Sequence, residues 1–180
     1  MKYTDIPTRG AYIVLVRSFK PLSRIIQFGM WLWQFFQVGR RYPRKTYNHA
    51  DIVVDGFVTG AIGRGVDVRS LKEAYDDGHK RKLRVFMVSA LQEDLVKVRI
   101  YLQEHIGKSY EYLNFWHHAM RIFKGKWSGK TGADANSEFY CIELAAGVMN
   151  VVYPDTIGEP WQINPIEFLE VCESKLREVY

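Results

Sequence analysis

Two side chains in this sequence, Cys141 and His49, could together carry nucleophilic chemistry. Cys141 stands in the stretch Asn136 to Val148, N-S-E-F-Y-C-I-E-L-A-A-G-V, near the start of a predicted helix that Ser137 would cap. In the first turn of a helix a thiolate meets free backbone N–H groups and the positive end of the helix dipole, which favour the anion. The same N–H groups can hold an oxyanion during acyl transfer. Spacing supports a plainer reading as well. Cys141, Leu144, Ala145 and Val148 follow the i, i+3, i+4, i+7 rule, so a small apolar core cysteine would sit in the same place. A nucleophilic cysteine needs a base within hydrogen-bond reach. His49, at the head of a predicted strand, is the best placed histidine by local context. Strand alternation puts His49, Asp51 and Val53 on one face, with Ala50, Ile52 and Val54 on the other. The residues alone leave both readings of Cys141 open.

Other chemistries find less support. Gly129-Lys130-Thr131 looks like the end of a phosphate-binding loop, but the required glycine five positions earlier is Lys124, and no strand leads into it. His117 and His118 are adjacent, so on a helix their side chains diverge by about 100° and cannot share a metal. His79 and His105 belong to no pattern. The expectation is therefore no metal and no cofactor.

Composition sets the frame. The chain has 180 residues, 47% hydrophobic and 25% charged, as expected of one folded domain over 1–180 with its own core. The net charge of +5 is mild and is carried partly by the clusters Gly39 to Lys45 and Lys124 to Lys130. These read as solvated loops rather than as a nucleic-acid surface. Two cysteines, Cys141 and Cys172, make no disulfide framework and fit a reducing compartment, the cytoplasm. The N-terminus lacks an apolar signal core. The most apolar run, Ile25 to Val38, is shorter than the roughly 20 residues a membrane span needs. With Arg40, Arg41, Arg44 and Lys45 beside it, that run would also serve peripheral contact with a membrane surface.

Around the two side chains the sequence arranges mixed elements. Ala11 to Val16 is a buried strand, and Pro21 opens a helix from Leu22 to about Gln37. His49 to Val54 and Phe57 to Ile62 form a hairpin about the Asp55-Gly56 turn, which Gly63-Arg64-Gly65 breaks. Ser70 and Glu73 make a capping box for a short helix to about Asp76. Leu83 to Ser89 is a strand, and residues 92 to 106 an amphipathic helix stopped by Gly107. A helical stretch from about Tyr112 to Phe123 and a last helix after Pro165 complete an α+β order.

The motifs, taken in order, resemble a known family. His49-Ala50-Asp51-Ile52-Val53-Val54, followed by Val58 to Val66, is similar to the histidine hairpin of the circularly permuted NlpC-type papain-like proteins. That group holds the YiiX-like and lecithin:retinol acyltransferase-like proteins. Phe139-Tyr140-Cys141-Ile142-Glu143-Leu144 resembles its cysteine helix, and Gly10 to Val16 its opening strand. Ile106-Gly107-Lys108-Ser109-Tyr110 and Ile163-Asn164-Pro165 resemble two further segments, in family order, over most of the chain.

The resemblance implies a permuted papain-like α+β fold: a small antiparallel sheet or barrel carrying His49, packed against helices, with Cys141 at a helix N-terminus. It implies a cysteine hydrolase or acyltransferase acting on a peptide, another amide or a lipid ester. The alternative is a silent binding module of the same fold. The sequence departs from the family at Gly60, where a polar residue, often Glu, commonly orients the histidine. The candidates to orient it instead are Asp51, a backbone carbonyl, an ordered water or a residue from another segment; a strand holds Asp51 and His49, two residues apart, at about 7 Å. Glu143, on another helical face, is expected to have a structural partner.

Overall fold

The structure, a computed structural model, describes residues 2–19, 24, 28, 47–110 and 138–179, with the side chains of 138 and 139 left aside. The predicted helices Leu22–Gln37 and Tyr112–Phe123 lie largely or wholly outside the described residues. The apolar run Ile25–Val38, apart from Phe28, both basic clusters, His117, His118, the Gly129-Lys130-Thr131 segment and Ser137 lie outside them as well.

Six strands form one antiparallel sheet: β1 (Ala11–Ser18), β2 (His49–Val54), β3 (Phe57–Ile62), β4 (Gly65–Ser70), β5 (Arg81–Ser89) and β8 (Arg177–Glu178). They lie in the order β4-β3-β2-β1-β5-β8. A two-stranded parallel pair, β6 (Ser109–Tyr110) with β7 (Glu138–Phe139), stands beside it. Four α-helices are described: α1 (Leu71–Tyr75), α2 (Gln92–His105), α3 (Cys141–Val152) and α4 (Pro165–Lys175). The fold is mixed α+β. No helix among the described residues is long and apolar enough to cross a membrane.

The period-two pattern of the strands divides the core into two layers. Ala11, Ile13 and Leu15, with Ala50, Ile52 and Val54, pack under α2, α3 and α4. Tyr12, Val14 and Val16, with Val53 and Val58, face Ala74 and Tyr75 of α1 on the other side. The Asp55-Gly56 turn forms as predicted, with φ of 52° and 81° at its two residues. Two successive positive φ values make the type I′ geometry that matches strand twist. Ser70 and Glu73 form the expected capping box, and Gly107 follows α2 with φ 84°. Asn164 caps α4 by accepting from the N–H groups of Ile166 and Glu167.

Two readings of the sequence need correction. Gly63-Arg64-Gly65 does break β3, but Gly65 also opens a further strand, β4, which pairs with β3 along its length. Val66-Asp67-Val68-Arg69 has the alternation of a strand, which the adjacent glycines obscured. The cysteine helix also begins later than a cap at Ser137 would place it. Glu138 and Phe139 are extended because they pair with Ser109 and Tyr110. Tyr140 is the N-cap residue, and Cys141 the first residue of the helix. Long-range strand pairing overrides the local capping signal there.

Candidate active site

Cys141 is buried at the N-terminal end of α3, a helix buried on every face from Cys141 to Met149. Tyr140 precedes it in an extended conformation, and its phenol donates to the Ile163 carbonyl. The Glu143 carboxylate accepts from the Tyr140 backbone N–H at 3.4 Å. Glu143 therefore has the structural role expected of it. As the first residue of α3, Cys141 carries one of the backbone N–H groups that helix geometry leaves without an intrahelical acceptor. The N–H of Leu144 is the first to turn back, to the Tyr140 carbonyl.

His49 opens β2. Its side chain is 22% exposed, whereas that of Asp51 is 3% exposed. The imidazole Nε2 and Asp51 Oδ1 are 2.9 Å apart. The two side chains thus lean together along the strand and close the separation that ideal strand geometry would give. Burial opposes charge on the ring. The charges of Asp51 and then Cys141, with a hydrogen bond to each, outweigh it, and the His49 pKa stands well above its ordinary value. Cys141 acts on the His49 ring electrostatically, although Cys141 sits in the helix-side layer and His49 falls on the strand face of Asp51 and Val53. His49 is the first residue of its strand.

Asp51 is the centre of a buried network. Besides His49, it accepts from the Arg69 guanidinium, Nη2 to Oδ1 at 3.2 Å, and from the Tyr75 hydroxyl, to Oδ2 at 2.9 Å. Burial alone would raise the Asp51 pKa. The charge and hydrogen bond of His49, the charge of Arg69 and the hydrogen bond from Tyr75 overcome this and hold it below the ordinary carboxylate value. The Tyr75 phenol moves the other way: burial, then the charge of Asp51 and its hydrogen bond to that carboxylate, keep it protonated. Asp51 is consequently an ionised acceptor, and Nε2 of His49 must donate to it. The other ring nitrogen, Nδ1, is not the one that Asp51 engages.

The network explains Gly60. Ile52 pairs with Thr59 across β2 and β3, so Asp51 and Gly60 are neighbours on one face of the sheet. A Cβ built on Gly60 would overlap Asp51 Oδ1 and stand 3.2 Å from both Asp51 Cγ and Arg69 Nη2. The space over Gly60 is filled by the carboxylate of Asp51. Thr59 lies on the opposite face, as its position in the strand requires.

Sequence reasoning missed Arg69 and Tyr75. Arg69 would have followed from recognising β4, whereas nothing in the spacing of Tyr75 from Asp51 announces their contact. His105 is buried, its Nδ1 2.6 Å from the Tyr101 carbonyl oxygen, and His79 is exposed. Cys172 is wholly buried in α4, and burial pushes its thiol pKa far up. Among the described residues no three His, Cys, Asp or Glu side chains form a group that could hold a metal ion. A separate cavity of about 270 Å³ lies between α2, α3 and the 3-10 turn Pro160–Gln162, lined by Tyr101, His105, Glu143 and Trp161 among others. Neither Cys141 nor His49 lines it. Compared with known proteins, the chain matches no family model and no curated sequence.

Proposed function

We propose that this chain is a cysteine hydrolase or acyltransferase of the permuted NlpC-type papain-like kind, cleaving an amide or ester bond. The observation that carries this reading is the His49 imidazole bonded to an ionised, buried Asp51, with Cys141, at a helix start, acting on the same ring. A core cysteine needs no charged partner. A nucleophile does.

The chemistry follows from the geometry. His49 Nδ1 takes the proton of the Cys141 thiol while Nε2–H stays bonded to Asp51. The thiolate adds to the substrate carbonyl carbon, forming the S–C bond and moving an electron pair onto oxygen. Backbone N–H groups at the start of α3, that of Cys141 among them, donate to this oxyanion. When the tetrahedral adduct collapses, the C–N or C–O bond breaks and the leaving amine or alcohol takes the proton from the imidazolium. Water, deprotonated by His49, or an acceptor hydroxyl or amine then attacks the thioester. Acid, ester or amide departs, and the thiol recovers its proton. No cofactor takes part, and the substrate class is a peptide, another amide or a lipid ester. The cytoplasm suits a free thiol nucleophile.

The test is intact-mass spectrometry after brief incubation with a panel of activated acyl esters and amides. Wild-type protein should gain one acyl group on Cys141, and Cys141→Ala and His49→Ala should gain none. Acylation that persists unchanged in His49→Ala would remove His49 as the base. No adduct with any probe would favour the silent binding module.

A further inference from the structure

Asp51 is not held by its own strand alone. Three elements converge on its carboxylate: His49 from β2, Arg69 from β4 and Tyr75 from α1. The floor of this space is Gly60, whose missing side chain leaves room for the carboxylate. We infer that Arg69, Tyr75 and Gly60 form a carboxylate socket for His49, with Arg69 and Tyr75 as positioning residues acting through whichever carboxylate occupies it. The inference rests on the proposed Cys141–His49 reading for its function, but its geometry does not.

The donors divide the work. Tyr75 takes Oδ2, and Arg69 shares Oδ1 with His49, so neither oxygen can turn away without losing a bond. Arg69 also balances the charge of Asp51. The sheet register supplies a second consequence. A carboxylate on residue 60 would enter the same space from the neighbouring strand, since the Cβ of residue 60 would project onto the present site of Asp51 Oδ1. The socket therefore accepts one carboxylate, from position 51 or from position 60, but not both.

The experiment transplants the carboxylate. Asp51→Gly, Gly60→Asp and the double variant Asp51→Gly/Gly60→Asp are compared with wild type. His49 is titrated by imidazole nitrogen NMR, and Cys141 alkylation by iodoacetamide is followed against pH. In Asp51→Gly the His49 titration should fall towards that of an ordinary histidine, and alkylation at neutral pH should slow at least tenfold. The double variant should recover both, and Gly60→Asp alone should be worse than wild type. A double variant that titrates like Asp51→Gly overturns the inference. Should the double variant not fold, Tyr75→Phe and Arg69→Met decide by solvent exchange of the His49 Nε2 proton. Exchange at least tenfold faster in both, with unfolding midpoints near wild type, supports the socket, and unchanged exchange in both overturns it. These signals come from His49 and not from turnover, so a protein with an intact socket and no acylation would sink the enzyme reading while supporting the socket.

Discussion

Gly60→Ala is the smallest change that strikes the site without removing a polar atom. A single methyl group enters the space of Asp51 Oδ1, with Asp51 Cγ and Arg69 Nη2 3.2 Å away. Carbon atoms in ordinary contact are about 3.5–4.0 Å apart, so a wall must retreat. The backbone cannot do so easily, because β3 is paired on both sides, to β2 and to β4. If the side chains absorb the strain, overpacking costs about 1–3 kcal/mol. If Asp51 swings out, it loses a hydrogen bond to a charged partner, about 1.5–3 kcal/mol. The molecule takes the cheaper route, at roughly 1–3 kcal/mol. Alanine returns about 0.5–1 kcal/mol over glycine in a strand. The net loss of stability should be about 1 kcal/mol, read as a lower urea midpoint at constant slope. In an Asp51→Ala background the clash is gone, and Gly60→Ala should be neutral or stabilising. The coupling between the two positions should thus be about 1–3 kcal/mol, beyond ordinary additivity error. Cys141 alkylation should slow in the single variant, since loss of the orienting group in a Ser-His-Asp triad costs about 10⁴ in rate. If Gly60→Ala stabilised the protein equally in both backgrounds, the account of Asp51 filling this space would be wrong.

Three further outcomes follow from the same geometry. The two cysteines should separate under iodoacetamide: Cys141 reacts quickly near neutral pH, while Cys172, buried with its thiol pKa pushed far up, stays unmodified until the protein unfolds. Peptide mapping of the adducts checks this, and a Cys141 that reacts only as an ordinary thiol, near a pKa of about 8.5, would speak against a Cys–His pair. Stability should respond to pH at both ends. The His49 pKa is raised above 6.5, so its contribution is complete below about 6.5 and is lost as pH rises through the raised value. Asp51 is lowered below 3.8, so its contribution is complete above about 3.8 and is lost as pH falls through the lowered value. In urea titrations His49→Gln should flatten the alkaline decline, and a decline parallel to wild type would show that His49 is not its source. Gly147→Ala would set a Cβ against the Tyr101 hydroxyl, with ring carbon Cζ at 2.5 Å. Overpacking of about 1–3 kcal/mol should exceed the helix-propensity gain of about 1 kcal/mol, and a raised melting temperature would refute this close approach of α2 to α3.

Much of the frame is written locally in the sequence. Asp55-Gly56 between two alternating strands can only turn tightly, because both residues must adopt positive φ. Ser70 with Glu73, and Gly107 after an amphipathic run, mark helix ends through bonds made within four residues. The placement of His49 and Asp51 on one strand face follows from the two-residue period alone. Cys141 was legible as a chemically able residue near a helix start, but its spacing served a core cysteine equally well. Tertiary structure decided what lies outside such short reach. The pairing of Glu138–Phe139 with Ser109–Tyr110 fixed where the helix begins and so made Cys141 its first residue. The register of β2 against β3 set Asp51 over Gly60, turning an apparent loss of the orienting group into the space that admits one. Arg69 and Tyr75, 18 and 24 residues from Asp51, reach it only because β4 and α1 fold back across the sheet. Local patterns are set by backbone geometry over a few residues. A buried charge network is set by which distant side chains the packed layers bring within about 3 Å of one another.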